Sequence, residues 1–215
     1  MVVFLIFFIP AGALLYLKCM YSGYFDGGEM WHSLFRGIAS FAISSIPLFI
    51  IVQFYPVEYS TGALYTRFLF TDFVLFLIGA LISYFLWEQR KIHVVYGKPL
   101  FVRVFSFFAG YAAFIGLFQR VVHLSRFNAY QLFAYPLLVA LVFWYASVCI
   151  YFYCITSGWM RYLWVVLITV PALLSAVVPL FHITGYVVFS WISAVLILLF
   201  ESGSAVLLIK YRRVP

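Results

Sequence analysis

Glu201 stands in the middle of ISAVLILLFESGSAVLLIK, a run from Ile192 to Lys210 that is otherwise almost wholly apolar. A lone ionised carboxylate in such a place costs on the order of 2.5–3.5 kcal/mol on insertion scales. It must therefore be protonated, paired or wet. Helical spacing puts Ser190, Ser193, Ile197, Glu201 and Ser204 on one stripe. A hydroxyl-rich stripe belongs inside a bundle, against other helices or water, and not against lipid. The chemistry open to Glu201 is exchange of a proton or binding of a cation in a translocation path. The plainer roles are a neutral, hydrogen-bonded carboxyl that fixes helix packing, or a contact to another membrane subunit.

Three other apolar stretches carry matching stripes. Asp72, Phe76, Gly79 and Ser83 align on one, and Ser106, Gly110, Ala113, Leu117 and Arg120 on a second. Ser40, Ser44 and Pro47 align on a third. Small residues let helices approach closely and hydroxyls cross-link them, so these stretches should surround a partly polar interior. Asp72 and Arg120 lie at similar depth on consecutive spans, which predicts an Asp72–Arg120 ion pair. The alternative is that each reaches separately to headgroups and water. Glu201 lies about 15 residues, or roughly 22 Å, below the outer end of its span. Arg103 is the nearest basic residue to it by depth.

Other chemistries find little support. Glu29 and His32 have the i, i+3 spacing of helical metal sites, but no second such motif accompanies them. An amphipathic turn with Trp31, Leu34 and Phe35 dipped into the membrane suits that segment better. Cys19, Cys149 and Cys154 lack the C-x-x-C spacing and read as small hydrophobic filler. His123 and His182 stand apart from any nucleophile motif, and ESGS around Glu201 is not G-x-S-x-G. No metal or cofactor is expected.

The elements that must position these groups are membrane helices. The chain of 215 residues is 67% hydrophobic and 9% charged, too little polar surface to coat a water-soluble globule. Its 26 Phe suit a lipid-facing surface and its 17 Tyr and 6 Trp suit the headgroup boundary. A span needs about 20 mainly apolar residues. Hydropathy gives about seven spans, at roughly 2–17, 37–55, 66–87, 102–123, 132–155, 163–181 and 186–209. The single expected domain is all-α, a polytopic helical bundle over 1–215. The first span resembles a signal sequence in length, but lacks a small-x-small site before a polar start, so retention is expected.

Of the 13 Lys and Arg, ten fall on one side of this threading and three (Arg67, Arg120 and Arg126) on the other. The positive-inside rule then puts the N-terminus outside and the C-terminus in the cytoplasm. It also explains the net charge of +7 without a nucleic-acid partner. Pro10 and Pro47, and again Pro136 and Pro171, fall in successive spans, and YSGYF and TSGWM follow spans one and five. The spacing suggests a 3+1+3 repeat around a linker span, a plan that occurs in transporters.

The function expected is a small transporter or permease, or the membrane subunit of one, moving a small solute or ion. Its pathway residues would be Glu201, Ser190, Ser193, Ser204, Asp72, Ser83, Ser106 and Ser44. The alternative is a scaffold or anchor subunit that partners other membrane subunits or a second copy of itself. An intramembrane enzyme acting on lipid-linked substrates ranks third, because no catalytic constellation emerges. Size and loop economy suggest a bacterial cytoplasmic (inner) membrane.

Overall fold

A computed structural model describes residues 27–54, 60–92, 98–115 and 135–211. The predicted first span and Arg120 lie outside them, as do Pro10, Cys19 and the YSGYF segment. Among the described residues the structure is helical throughout, with no strand. The helices are α1 (Gly27–Phe54), α2 (Thr61–Phe68), α3 (Leu75–Ile92), α4 (Lys98–Ala113) and α5 (Tyr135–Ile155). They are followed by α6 (Met160–Leu167), α7 (Thr169–Ser175), α8 (Val177–Ile183) and α9 (Val187–Tyr211). A π-helical turn, Leu69–Val74, joins α2 to α3 without a break.

Four stretches are long and apolar enough to cross a membrane: Gly28–Phe54, Thr61–Trp87, Tyr135–Ile155 and Met160–Ile183. Leu100–Ala113 and Val187–Phe200 are shorter apolar helices. The four long stretches overlap the expected second, third, fifth and sixth spans, while the two shorter helices cover only part of the expected fourth and seventh. The large apolar side chains left exposed, such as Ile43, Ile46 and Phe54 on α1 and Val188, Leu196 and Leu199 on α9, form the surface a bilayer would cover.

Helix directions follow from which residues meet. Arg103 meets Glu29, Gly110 packs on Leu34, and Tyr111 stacks edge-on against Phe41, so α1 and α4 run parallel. Tyr84 meets Phe108, while the Tyr111 hydroxyl lies over Gly79, so α3 runs antiparallel to α4. Phe101 meets Tyr151 and Tyr111 stacks on Phe143, so α5 is antiparallel to α4 as well. The centre between these helices is filled with rings. Phe73, Phe76, Tyr84, Phe107, Phe108, Tyr111 and Phe143 are all essentially inaccessible. Aromatic pairs of this edge-on and offset kind add about 0.5–1.5 kcal/mol each beyond their area.

Three boundaries differ from expectation, each for a local reason. The first is α1, which begins at Gly27 and not near 37. Its opening GGEM reads as a turn, yet Glu29 in the first turn complements the positive helix end. The Arg103 guanidinium then holds the Glu29 carboxylate at both oxygens, Nε to Oε2 at 2.9 Å and Nη2 to Oε1. The residue with metal-ligand spacing to His32 is thus engaged by Arg103.

The second is the expected sixth span, which is three short helices interrupted at Ile168 and Ala176. Pro171 and Pro179 each lack an N–H, and their rings crowd the carbonyls four residues back, at Leu167 and Ser175. The third is the π turn. Thr71 Oγ1 donates to the Arg67 carbonyl at 2.8 Å, where the backbone N–H would ordinarily bond. The ladder widens, and Leu75 N–H reaches the Phe70 carbonyl, five residues back. The prolines do not behave alike across the expected repeat: Pro47 sits inside the unbroken α1, Pro136 in the first turn of α5, and Pro171 beside a break.

The Glu29–Arg103 pair yields a modest prediction. The Arg103 side chain is 13% exposed and that of Glu29 45%, so solvent screens much of the attraction. A double-mutant cycle with Glu29→Gln and Arg103→Gln, read by unfolding in detergent, should give a coupling of about 0.5–1 kcal/mol. That coupling should shrink as salt is raised.

Candidate functional site

The π turn carries the one acidic side chain buried among the described residues: Asp72 is 8% exposed. Widening the helix here sets Asp72 inward, on the stripe continued by Phe76 and Gly79. Thr71 Oγ1 lies 3.0 Å from Asp72 Oδ1, so its one proton is shared between this carboxyl and the Arg67 carbonyl. Arg67, five residues earlier, supplies a positive charge that acts on this carboxyl. The Tyr135 hydroxyl, from the start of α5, donates to the Asp72 backbone carbonyl at 3.3 Å, and its ring lies 6.1 Å from that of Phe73.

The broken helix faces the same turn. α7 packs against Leu69–Val74, and α8 packs on α2. Tyr65 on α2 donates its hydroxyl to the Leu173 carbonyl of α7 at 2.9 Å. On the other side of the broken helix, Ser190 of α9 is buried and donates to the Val178 carbonyl of α8 at 3.0 Å. Side-chain hydroxyls thus hold carbonyls of the segmented helix from two neighbouring helices.

The remaining sequence candidates are dispersed. Ser44 lies between α1 and α4, with its hydroxyl 2.7 Å from that of Tyr111 and 3.2 Å from the Phe41 carbonyl. The Tyr111 hydroxyl fits there because Gly79 has no side chain; a Cβ at that position would sit 2.5 Å from it. Ser106 is fully buried on α4, and its hydroxyl has no partner among the described residues. Ser83 and Ser193 are half-buried. Pro47 faces outward, so the inward stripe of α1 runs through Ser33, Gly37, Phe41, Ser44 and Leu48. Glu201 and Ser204 lie on α9 with side chains outside the described residues, and Glu201 follows the buried Ala194 and Ile197 by seven and four positions. The expected Asp72–Arg120 pair also falls outside, because Arg120 is not described.

Sequence reasoning passed over Tyr65, Tyr111 and Tyr135, and used Arg67 only in the charge count. Tyrosines in an apolar run count as apolar, yet each hydroxyl needs a partner once buried. The adjacent Thr71–Asp72 pair was the available signal, since a threonine bonding back along a helix disturbs its ladder. Among the described residues no group of three or more His, Cys, Asp and Glu could hold a metal ion. Comparison of the chain with protein families, curated proteins and solved structures finds no match.

Proposed function

We propose that this chain is a membrane transporter or permease, or the membrane subunit of one, that moves a small solute or ion. The observation that carries the reading is the buried Asp72 carboxyl on a π-helical turn packed against a proline-segmented helix. Ionisable groups within membrane helices are costly and mark ion or substrate pathways. Irregular turns inside helices gather at functional sites, and discontinuous helices form the midplane sites of transporters. Glu201, on the register of the buried face of α9, is the second pathway carboxyl of this reading, with Ser190, Ser193 and Ser204 as the accompanying pathway residues. A bacterial cytoplasmic membrane, with the N-terminus outside, is the setting proposed.

The second reading is a scaffold or anchor subunit of a larger membrane complex. It is favoured by the ring-filled interior between α1, α3, α4 and α5, which leaves Ser44 and Tyr111 bonded to each other. Purified protein in liposomes separates the two. A proton or sodium gradient is imposed and its decay followed with an entrapped dye. Transport predicts decay at least about tenfold faster than in empty liposomes, with Glu201→Gln slowing it. Decay no faster than in empty liposomes for either ion would sink the ion-coupled reading in favour of the scaffold.

A further inference from the structure

One end of the bundle gathers exposed tryptophans and basic residues. Contacts of Arg103 with Glu29, Phe101 with Tyr151, and Phe85 with Tyr153 bring the starts of α1 and α4 together with the ends of α3 and α5. Trp31, Trp87 and Trp159 are exposed there. Arg90 and Lys91 fall in the last turn of α3, and Lys98 opens α4. The turn between α5 and α6 completes this end. Gly158, at φ 73°, takes the left-handed conformation that turns the chain back, leaving Trp159 75% and Tyr162 68% exposed.

Arg161 sits between these two rings in sequence, and its guanidinium lies 4.0 Å from the centroid of the Tyr153 ring. It is exposed, and no carboxylate pairs with it among the described residues. Stacking on the ring holds the guanidinium plane while leaving its N–H edge available. A fixed guanidinium fork between exposed Trp and Tyr, at the level where a helix leaves the apolar layer, matches a phosphate headgroup above an acyl chain. The neighbouring basic positions add attraction for negative charge and none for a zwitterion.

We propose that the α5–α6 turn is a binding site for an anionic phospholipid, with Arg161 as the ligand of the headgroup phosphate and Trp159 and Tyr162 flanking the glycerol region. The occupant follows from charge: a cationic end with an exposed arginine held on a tyrosine ring selects an anionic headgroup over phosphatidylcholine.

The test uses the full chain in nanodiscs of equal phosphatidylglycerol and phosphatidylcholine, with retained lipids counted by native mass spectrometry. The wild type should retain phosphatidylglycerol preferentially, and the preference should fall as salt is raised before release. Arg161→Gln should lower phosphatidylglycerol retention about fivefold, the equivalent of one interfacial cation. Arg161→Lys should restore only part of it, because the ammonium lacks the planar fork. Equal retention of the two lipids by the wild type would overturn the site, and this outcome does not depend on any variant folding. Unchanged retention in Arg161→Gln would overturn the role of that residue.

Discussion

Gly110→Leu should keep α1 and α4 from docking and so prevent the protein from reaching its folded state. The two helices run parallel and meet through a reciprocal pair of glycines. A Cβ at Gly110 would collide with the Leu34 carbonyl, and one at Gly37 with the Phe107 carbonyl. The obstacle in each case is backbone, which cannot rotate aside as a side chain can. Overpacking a core ordinarily costs about 1–3 kcal/mol, and a collision between two backbones should exceed that range. The loss spreads along the seam, because Glu29–Arg103 on one side of the crossing and Ser44–Tyr111 on the other both need the same close approach. Cys149, fully buried on α5, offers a reporter: a thiol-reactive dye labels it only when the bundle opens. With Cys19 and Cys154 replaced by serine, Gly37→Leu or Gly110→Leu should leave Cys149 labelled at every temperature, or lower the midpoint by at least about 10 °C. Gly62→Ala is the control, since nothing lies within 4 Å of a Cβ there. It should gain up to about 1 kcal/mol from helix propensity. A Gly110→Leu protein with an unchanged midpoint would mean that the helices are not in contact as described.

That glycine crossing was partly legible in the sequence, and the reason shows where such reading works. Ser106, Gly110 and Ala113 recur at helical spacing, and so do Asp72, Phe76 and Gly79. All of these but Gly79, which is half-buried under the Tyr111 hydroxyl, are buried in the structure. Periodicity survives because burying one face of a helix is a summed property of many side chains. What escaped depends on single competing bonds. Thr71 exchanges a backbone bond for a side-chain bond, and one turn of α-helix becomes π. Nothing in hydropathy distinguishes those two turns. The start of α1 was hidden for a similar reason. Gly27 and Gly28 read locally as a turn, and the partner that holds Glu29 is Arg103, 74 residues away. Pro171 is plain in the sequence, but whether a proline bends a helix or divides it depends on the neighbouring helices. Here Tyr65 and Ser190 supply hydroxyls to the carbonyls of the divided helix, while α1 continues unbroken through Pro47. The buried hydroxyls of Tyr111 and Tyr135 were invisible because their rings dominate any apolar count.

Asp72→Asn should separate function from fold. Two of the bonds that hold the π turn do not depend on the carboxylate. Tyr135 donates to the Asp72 backbone carbonyl, and Thr71 keeps its bond to the Arg67 carbonyl whatever stands at position 72. A carboxyl kept in so buried a place is a stability cost that an apolar residue of similar size removes. Asp72→Leu should therefore raise the Cys149 labelling midpoint, by an amount on the order of 1 kcal/mol, and Asp72→Asn should leave it within a few tenths. If the chain is the transporter proposed, both variants should abolish its ion flux in liposomes, at least about a hundredfold for Asp72→Leu, since neither side chain can carry a proton or balance a cation. A structural carboxyl predicts the reverse pattern. The Asp72→Leu midpoint would fall with the loss of the Thr71 bond, which the amide oxygen in Asp72→Asn still accepts, and folded protein of either variant would behave in liposomes as the wild type does. The sign of the stability change at one residue therefore decides between an ion-pathway carboxyl and a packing element, whatever the cargo is.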